Sequence, residues 1–92
     1  MRVELRPRFV RQVRRLSRQQ QEAVQESLDA VIDGFGQPHL HAGLGIRKLR
    51  GRWFECRAGL EMRLVFLAQS GVLAFHLAGN HDDVRRFLKS SR

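Results

Sequence analysis

The sequence predicts a small α+β domain in which an N-terminal helical hairpin packs on a four-stranded antiparallel sheet and a short helix ends the chain. Two observations predict this class. Apolar residues in the first third of the chain recur at helical spacing, whereas from residue 53 onward they alternate with polar residues, as in half-buried strands. Because 92 residues suffice for about one hydrophobic core, we expect a single domain over residues 1–92.

The N-terminal half carries the signals of two helices. Residues 3–5 are predicted to form a short strand, and Pro7, whose fixed φ suits a first helical turn, begins the first helix. Ser17 and Gln20 have the spacing of a capping box, which predicts the start of the second helix. Residues 37–45 contain a proline and two glycines without a clear period, so we expect a loop there.

The second half carries the signals of three strands. Alternating segments span residues 53–57, 61–66 and 73–78, with turn residues between them. A short helix is predicted from about Asp82 to the end. These three strands, with residues 3–5, make the four predicted strands of the sheet.

The alternation also predicts a register. If the large apolar side chains share one face, Glu55 lies opposite Arg63, and Arg63 lies opposite His76. The face away from the helices then collects a polar, cationic and partly aromatic patch. Its members are Trp53, Glu55, Arg57, Glu61, Arg63 and His76.

The charge balance bears on possible partners. Seventeen Lys and Arg residues against nine Asp and Glu residues give a net charge of +8, and all but two of the cations are arginine. Guanidinium groups bind phosphate in bidentate fashion and keep their proton, which favours nucleic acid as a partner. A general preference for arginine in the source proteome would give the same composition, so composition alone does not decide between the two interpretations.

Several classes of protein are excluded. No apolar run approaches the roughly 18–20 residues that a bilayer-spanning helix needs. No apolar stretch follows the first arginines, as it would in a secretory signal, and the lone Cys56 cannot form an internal disulfide. We therefore expect a cytoplasmic protein.

The predicted patch contains the groups that RNA cleavage requires. Arginine side chains can hold phosphates, and Trp53 can stack on an unpaired base. A 2′-hydroxyl attacks its own phosphate when a base removes its proton, an acid protonates the leaving oxygen and cations stabilise the phosphate charge. This chemistry needs no metal, so we expect neither a metal nor a cofactor.

The second half of the chain resembles the RelE/ParE toxin superfamily of bacterial toxin–antitoxin systems. The resemblance rests on four motifs in order: KLRG, the strand Phe54-Glu55-Cys56-Arg57, the strand Arg63-Leu64-Val65-Phe66, and Gly-Asn-His-Asp-Asp after the last strand. It implies a small α+β domain that a cognate antitoxin holds inactive. RelE-like members are metal-free endoribonucleases, most of which cut mRNA on the ribosome, and ParE-like members poison DNA gyrase.

The resemblance also implies roles for individual residues. Arg63 lies where RelE-like toxins have a phosphate-binding arginine, and Lys48 and Arg50 match basic residues of the first central strand region. His81 lies where family members have a catalytic histidine or arginine. Many ribonuclease members carry Tyr or Phe four residues after that histidine, whereas this chain has Arg85.

Together these observations predict a metal-independent, ribosome-dependent mRNA endoribonuclease, the toxin of a toxin–antitoxin pair. The alternatives are a ParE-like gyrase inhibitor and a non-catalytic homologue that acts only in an autorepressor complex. The expected partners are mRNA on the ribosome and an antitoxin, in a hetero-oligomer that binds DNA through the antitoxin. The predicted catalytic residues are Arg63, His81 and Glu55, and the predicted RNA-binding residues are Lys48, Arg50, Arg57 and Trp53. Arg63 could equally serve only as an ion-pair partner of Glu55, and a glutamate so placed is more often such a partner than a general base.

Overall fold

A computed structural model describes residues 1–90 of the chain, apart from the side chains of Pro38 and His39. The predicted domain boundary at residue 92 lies outside the described residues. In chain order the elements are β1 (Arg2–Leu5), α1 (Pro7–Arg14), α2 (Arg18–Gly34), α3 (Pro38–Leu44), β2 (Arg47–Arg50), β3 (Trp53–Ala58), β4 (Met62–Gln69), β5 (Val72–Gly79) and α4 (His81–Ser90). Among residues 1–90, no helix combines the length and the apolar character needed to cross a bilayer.

The sheet differs from the predicted one. It has five strands in the order β1-β5-β4-β3-β2, and β1 runs parallel to β5, so the prediction of a four-stranded antiparallel sheet is wrong. Hydrogen bonds of 3.0 Å from the N–H of Arg2 to the carbonyl of Gly71, and from the N–H of Arg6 to that of Phe75, extend the parallel pair. A tight hairpin imposes an antiparallel pair, but most of the chain separates β1 from β5, so no local turn determines the direction of β1.

Two short elements were missed by the sequence prediction. The fifth strand, β2, has the sequence Arg-Lys-Leu-Arg with a single apolar residue, because it lies at the sheet edge and has little to bury. The segment 37–45, predicted to be a loop, contains α3. Its proline occupies the first turn, where a missing N–H costs nothing, and Gly45 ends the helix with a φ of +70°.

The helical hairpin is confirmed and packs on one face of the sheet. The hydroxyl of Ser17 accepts from the N–H of Gln20 at 3.1 Å, and the Gln20 amide oxygen accepts from the N–H of Ser17 at 3.0 Å, which completes the predicted capping box. Phe9 of α1 packs on Phe75 with ring centroids 5.6 Å apart. The buried residues of this core are Phe9, Val24, Leu28, Val31, Ile46, Cys56, Ala58, Leu64, Phe66, Leu73 and Phe75.

The predicted register is wrong by two or three residues, and the reason lies in the turns. Glu55 lies opposite Val65, and Arg63 lies opposite Arg57 on one side and Gly79 on the other. The β3–β4 turn begins after Ala58, one residue later than predicted, which moves the pairing by two positions. Because side chains alternate with a period of two, this shift leaves the β3 and β4 side chains on their predicted faces.

A β-bulge in β5 changes which of its side chains lie on the second face of the sheet, the face away from the helical hairpin. The pairing shifts between Phe75 and Leu77, so that His76 is the extra residue and the alternation changes phase. An uninterrupted alternation over residues 73–78 would place Leu77 on the face of the helical hairpin, but Leu77 packs on the opposite face. There it joins a second core with Val65 of β4 and with Val84 and Phe87 of α4.

Candidate functional site

On the second face of the sheet, α4 covers one part, and charged side chains occupy the part that α4 leaves uncovered. The α4 contact covers Leu49, Trp53 and Val65, which lie on β2, β3 and β4 respectively. Further along the same face, cross-strand pairing brings together the side chains of the cluster that we call the arginine–glutamate cluster. Its members are Arg47, Glu55, Arg57 and Arg63.

Glu55 is the buried centre of the arginine–glutamate cluster. Its side chain is 3% exposed. Arg63 Nη1 donates a hydrogen bond of 2.6 Å to Glu55 Oε2, and Arg47 Nη2 lies 3.6 Å from the same oxygen. Arg63 is a diagonal neighbour of Glu55 and not its direct partner, but a long side chain spans that separation. The second oxygen, Oε1, is buried and has no hydrogen-bond partner among the described residues.

Two arginines face each other directly in the cluster. Arg57 and Arg63 are cross-strand partners, a like-charge arrangement that is unfavourable unless an anion lies close by. The side chain of Arg57 packs over Gly45, where an added Cβ atom would come within 2.9 Å of Arg57 Nε. Glycine at this position therefore leaves room for the side chain of Arg57 within the cluster.

His81 lies at the same end of the sheet. It follows Gly79, the β5 partner of Arg63, by two residues, and it is the first residue of α4. Asn80 and Asp83 cap this helix reciprocally, each side-chain oxygen accepting from the other residue's N–H at 2.9 Å. The cap fixes the backbone at His81, whose side chain is exposed at the end of the sheet where Gly79 pairs with Arg63.

Three of the predicted RNA-binding residues have other surroundings. Lys48 is exposed opposite Phe54, which places it on the face that packs against the helical hairpin, away from Arg63. Arg50 donates a hydrogen bond of 2.8 Å to the carbonyl of Leu88 near the end of α4. Trp53 is half-buried in the second core.

Aromatic contacts hold Trp53 in that core. Its ring meets those of His76 and Phe87 edge to face, with centroids 4.8 Å and 5.1 Å away. Burial lowers the pKa of His76, with the positive charges of Arg6 and Arg8 acting in the same direction. Trp53 and His76, both expected in the polar patch, are thus packed beneath α4.

The structure adds Arg47, which the sequence analysis did not single out. Because β2 has a single apolar residue, its sequence shows no alternation that would assign Arg47 to a face of the sheet. The pairing of Arg47 with Glu55 assigns it to the second face. Among the side chains that the structure describes, no group of three or more His, Cys, Asp and Glu residues is placed to hold a metal ion.

Comparisons with known proteins found solved structures that are similar to this one. No family model matches the chain, and no curated protein matches its sequence. Among solved structures, the YoeB-YefM complex from Staphylococcus aureus is similar with a TM-score of 0.62 and 14% sequence identity, over 88% of this chain and 97% of that chain. The solution structure of HP0894 from Helicobacter pylori has a TM-score of 0.50 and 16% identity, over 89% and 96%.

These similarities span nearly the whole of each chain, so they concern the complete domain. YoeB is a RelE-family toxin. At such low identity the comparison concerns the fold and not the individual site residues. The chain shares the fold of these two structures, which supports the RelE-like fold that its sequence motifs implied.

Proposed function

We propose that this chain is the toxin of a toxin–antitoxin system and cleaves mRNA on the ribosome without a metal ion. The observation that carries the proposal is the arginine–glutamate cluster, which lies on a RelE-like fold at the same end of the sheet as the exposed His81. Three guanidinium groups around one carboxylate leave a net charge of +2, which suits a phosphodiester.

The proposed chemistry uses the groups at this end of the sheet. Arg63 and Arg57 bind the scissile phosphate and stabilise the charge that grows when the 2′-hydroxyl attacks. His81 transfers a proton, either from the 2′-hydroxyl or to the 5′-oxygen that leaves. A 2′,3′-cyclic phosphate and a free 5′-hydroxyl result, and no water or metal enters that step.

The proposed partner is an antitoxin that covers this surface. The similar Staphylococcus aureus structure is of a complex with YefM. By analogy we propose that a cognate antitoxin binds this chain, and that the resulting hetero-oligomer binds DNA through the antitoxin. Masking is needed because a cationic site built for RNA would otherwise act on the cell's own messages.

The test is translation-dependent mRNA cleavage in the presence of EDTA. Arg63→Ala and His81→Ala should each slow cleavage by roughly 10²–10⁴-fold, as expected for loss of a charge-stabilising or proton-transferring group. Arg2→Ala is the matched control, because Arg2 is exposed on β1 at the opposite edge of the sheet. Cleavage that requires a metal, or equal rates in all variants, would contradict the proposed mechanism.

One observation favours a second candidate, a ParE-like gyrase inhibitor. Arg85 is exposed where many ribonuclease members have an aromatic residue, and the nearby Phe87 is buried in the second core and cannot replace it. If the wild-type protein leaves mRNA intact but blocks DNA supercoiling by gyrase, this second function is correct. A chain that does neither and only represses transcription with its antitoxin would be the non-catalytic homologue.

A further inference from the structure

We propose that Glu55 is a positioning residue that presets Arg63 and Arg47 as a pair of phosphate ligands, and that Arg47 is the member of the pair that moves onto the phosphate. The inference rests on the proposed function, since it takes the ligand to be an RNA phosphodiester. It gives Glu55 a role through its neighbours and adds Arg47 to the site.

The burial of Glu55 is the first step of the argument. A carboxylate that is 97% removed from solvent loses most of its hydration, and the ion pairs it forms only repay that cost when they are close and complete. Here one oxygen has two cationic neighbours and the other has no partner among the described residues. An apolar side chain opposite Val65 would serve the fold at least as well, so stability alone does not account for Glu55.

The two arginine contacts are unequal, which assigns different roles to them. Arg63 Nη1 is 2.6 Å from Glu55 Oε2 and its side chain is 29% exposed. Arg47 Nη2 is 3.6 Å from the same oxygen, beyond hydrogen-bond distance, and its side chain is 65% exposed. Arg63 is therefore held in one orientation, whereas Arg47 is attracted to the same point but remains free to accept a better partner.

A phosphate at this place completes the arrangement. Arg47 lies on the edge strand β2 and Arg63 on β4, so their guanidinium groups flank Glu55 on β3 from both sides. An entering phosphodiester gives the Arg47 side chain a hydrogen-bonding partner, which it does not have among the described residues, and it separates the like charges of Arg57 and Arg63. Such charge-assisted bonds to phosphate are stronger than the long contact that Arg47 gives up.

The test measures binding of a single-stranded RNA whose 2′-hydroxyls are methylated, so that it cannot be cleaved. Removal of Arg47 (Arg47→Ala) should weaken binding about tenfold and lower the slope of log K against log salt by about 0.7, as for one lost phosphate contact. The matched control Arg2→Ala removes the same charge from the opposite edge strand and should change affinity less than about twofold.

Glu55→Gln separates positioning from bulk charge. It keeps the shape and makes the protein more positive, so bulk electrostatics alone predicts tighter RNA binding. Positioning instead predicts binding weakened about threefold or more, and an effect of Arg47→Ala that shrinks to that of the control when Glu55→Gln is already present. Tighter binding by Glu55→Gln, or Arg47→Ala indistinguishable from Arg2→Ala, would overturn the proposal.

A second measurement keeps the inference separate from the proposed function. Arginine side-chain NMR signals are followed while inorganic phosphate is added to the folded protein, with thermal melts to confirm that each variant is folded. In wild type the Arg47 and Arg63 signals should shift together, and in Glu55→Gln they should shift independently. A protein that shows the paired shift but does not cleave RNA would retain the inference and lose the ribonuclease, whereas unpaired shifts in wild type would overturn the inference.

Discussion

The two faces of the sheet differ in what covers them. One face packs against α1 and α2 through a core that includes Phe66 and Phe75, both fully buried. The other face packs against the single helix α4 near one end and holds the arginine–glutamate cluster toward the other. The first face therefore stabilises the fold, and the second divides its area between a small core and a charged surface.

The packing of the covered face also holds the charged side chains of the other face in place. Phe54, Phe66 and Phe35 stack and pack edge to face within 6 Å of one another on the covered face. This packing fixes β3 and β4, and therefore also the side chains that point the other way. The positions of Glu55 and Arg63 therefore depend on the core that packs on the opposite side of β3 and β4.

The largest expected effect tests the division directly. Phe66→Ala removes a fully buried ring from the first core and should lower the free energy of unfolding by about 3–5 kcal/mol. Val84→Ala, its counterpart in the second core, removes two methyl groups and should cost only about 1.5–2 kcal/mol. Urea unfolding of both variants measures the difference, and equal costs would show that the two faces contribute alike.

The buried thiol of Cys56 lets the stability of the covered face be tested by a change of pH. Burial raises its pKa from 9.0 to about 12, and the negative charge of Glu55 on the opposite face adds to that shift. The folded state therefore keeps the thiol neutral while the unfolded state ionises above pH 9. The buried thiol therefore contributes fully to the free energy of unfolding below pH 9. Between about pH 9 and pH 12 that free energy falls by up to about 1.4 kcal/mol per pH unit.

Cys56→Ala provides the control for this pH dependence. The variant lacks the titrating group, so its unfolding free energy should fall less steeply than that of wild type above pH 9. In the native protein at pH 8, the thiol should also resist alkylation by iodoacetamide until urea is added, because it is fully buried. Rapid alkylation of the native protein would mean that the covered face opens readily.

The elements that sequence reasoning predicted are those whose pattern is local. The capping box at Ser17 and the alternation in β3 and β4 specify an element and a face without reference to distant residues. The two-residue error in the β3–β4 register preserved those faces, which is why the contact between Glu55 and Arg63 was predicted although the pairing was wrong.

The features that were missed depend on distant partners. The direction of β1 is decided by β5, and the face of Arg47 is decided by the pairing of β2 with β3. The bulge at His76 depends on how β5 fits β4 and α4, and it moved Leu77 to the second core. The burial of Glu55 also depends on neighbours from other strands, Arg47 of β2 and Arg63 of β4, and no local pattern distinguishes a buried carboxylate from an exposed one.

The smallest effect concerns His76, whose ring contacts Trp53 and Phe87 on the second face. Its pKa is lowered mainly by burial and further by Arg6 and Arg8, against a smaller opposing effect of Glu4. A lowered pKa in the folded state means that the unfolded state binds the proton more readily. The contribution of His76 to stability is thus present above pH 6.5 and is lost as the pH falls below it.

Because His76 is only half-buried, this contribution should stay below about 1 kcal/mol. An NMR titration of its ring protons should give a pKa below 6.5, and Arg8→Gln should move that pKa upward by removing one positive charge. Arg2→Ala serves as the control, since Arg2 is not among the charges that act on His76. A pKa at or above 6.5 would mean that the imidazole is solvated like an exposed one, and that the contact of Trp53 and Phe87 with His76 does not exclude water from this part of the second face.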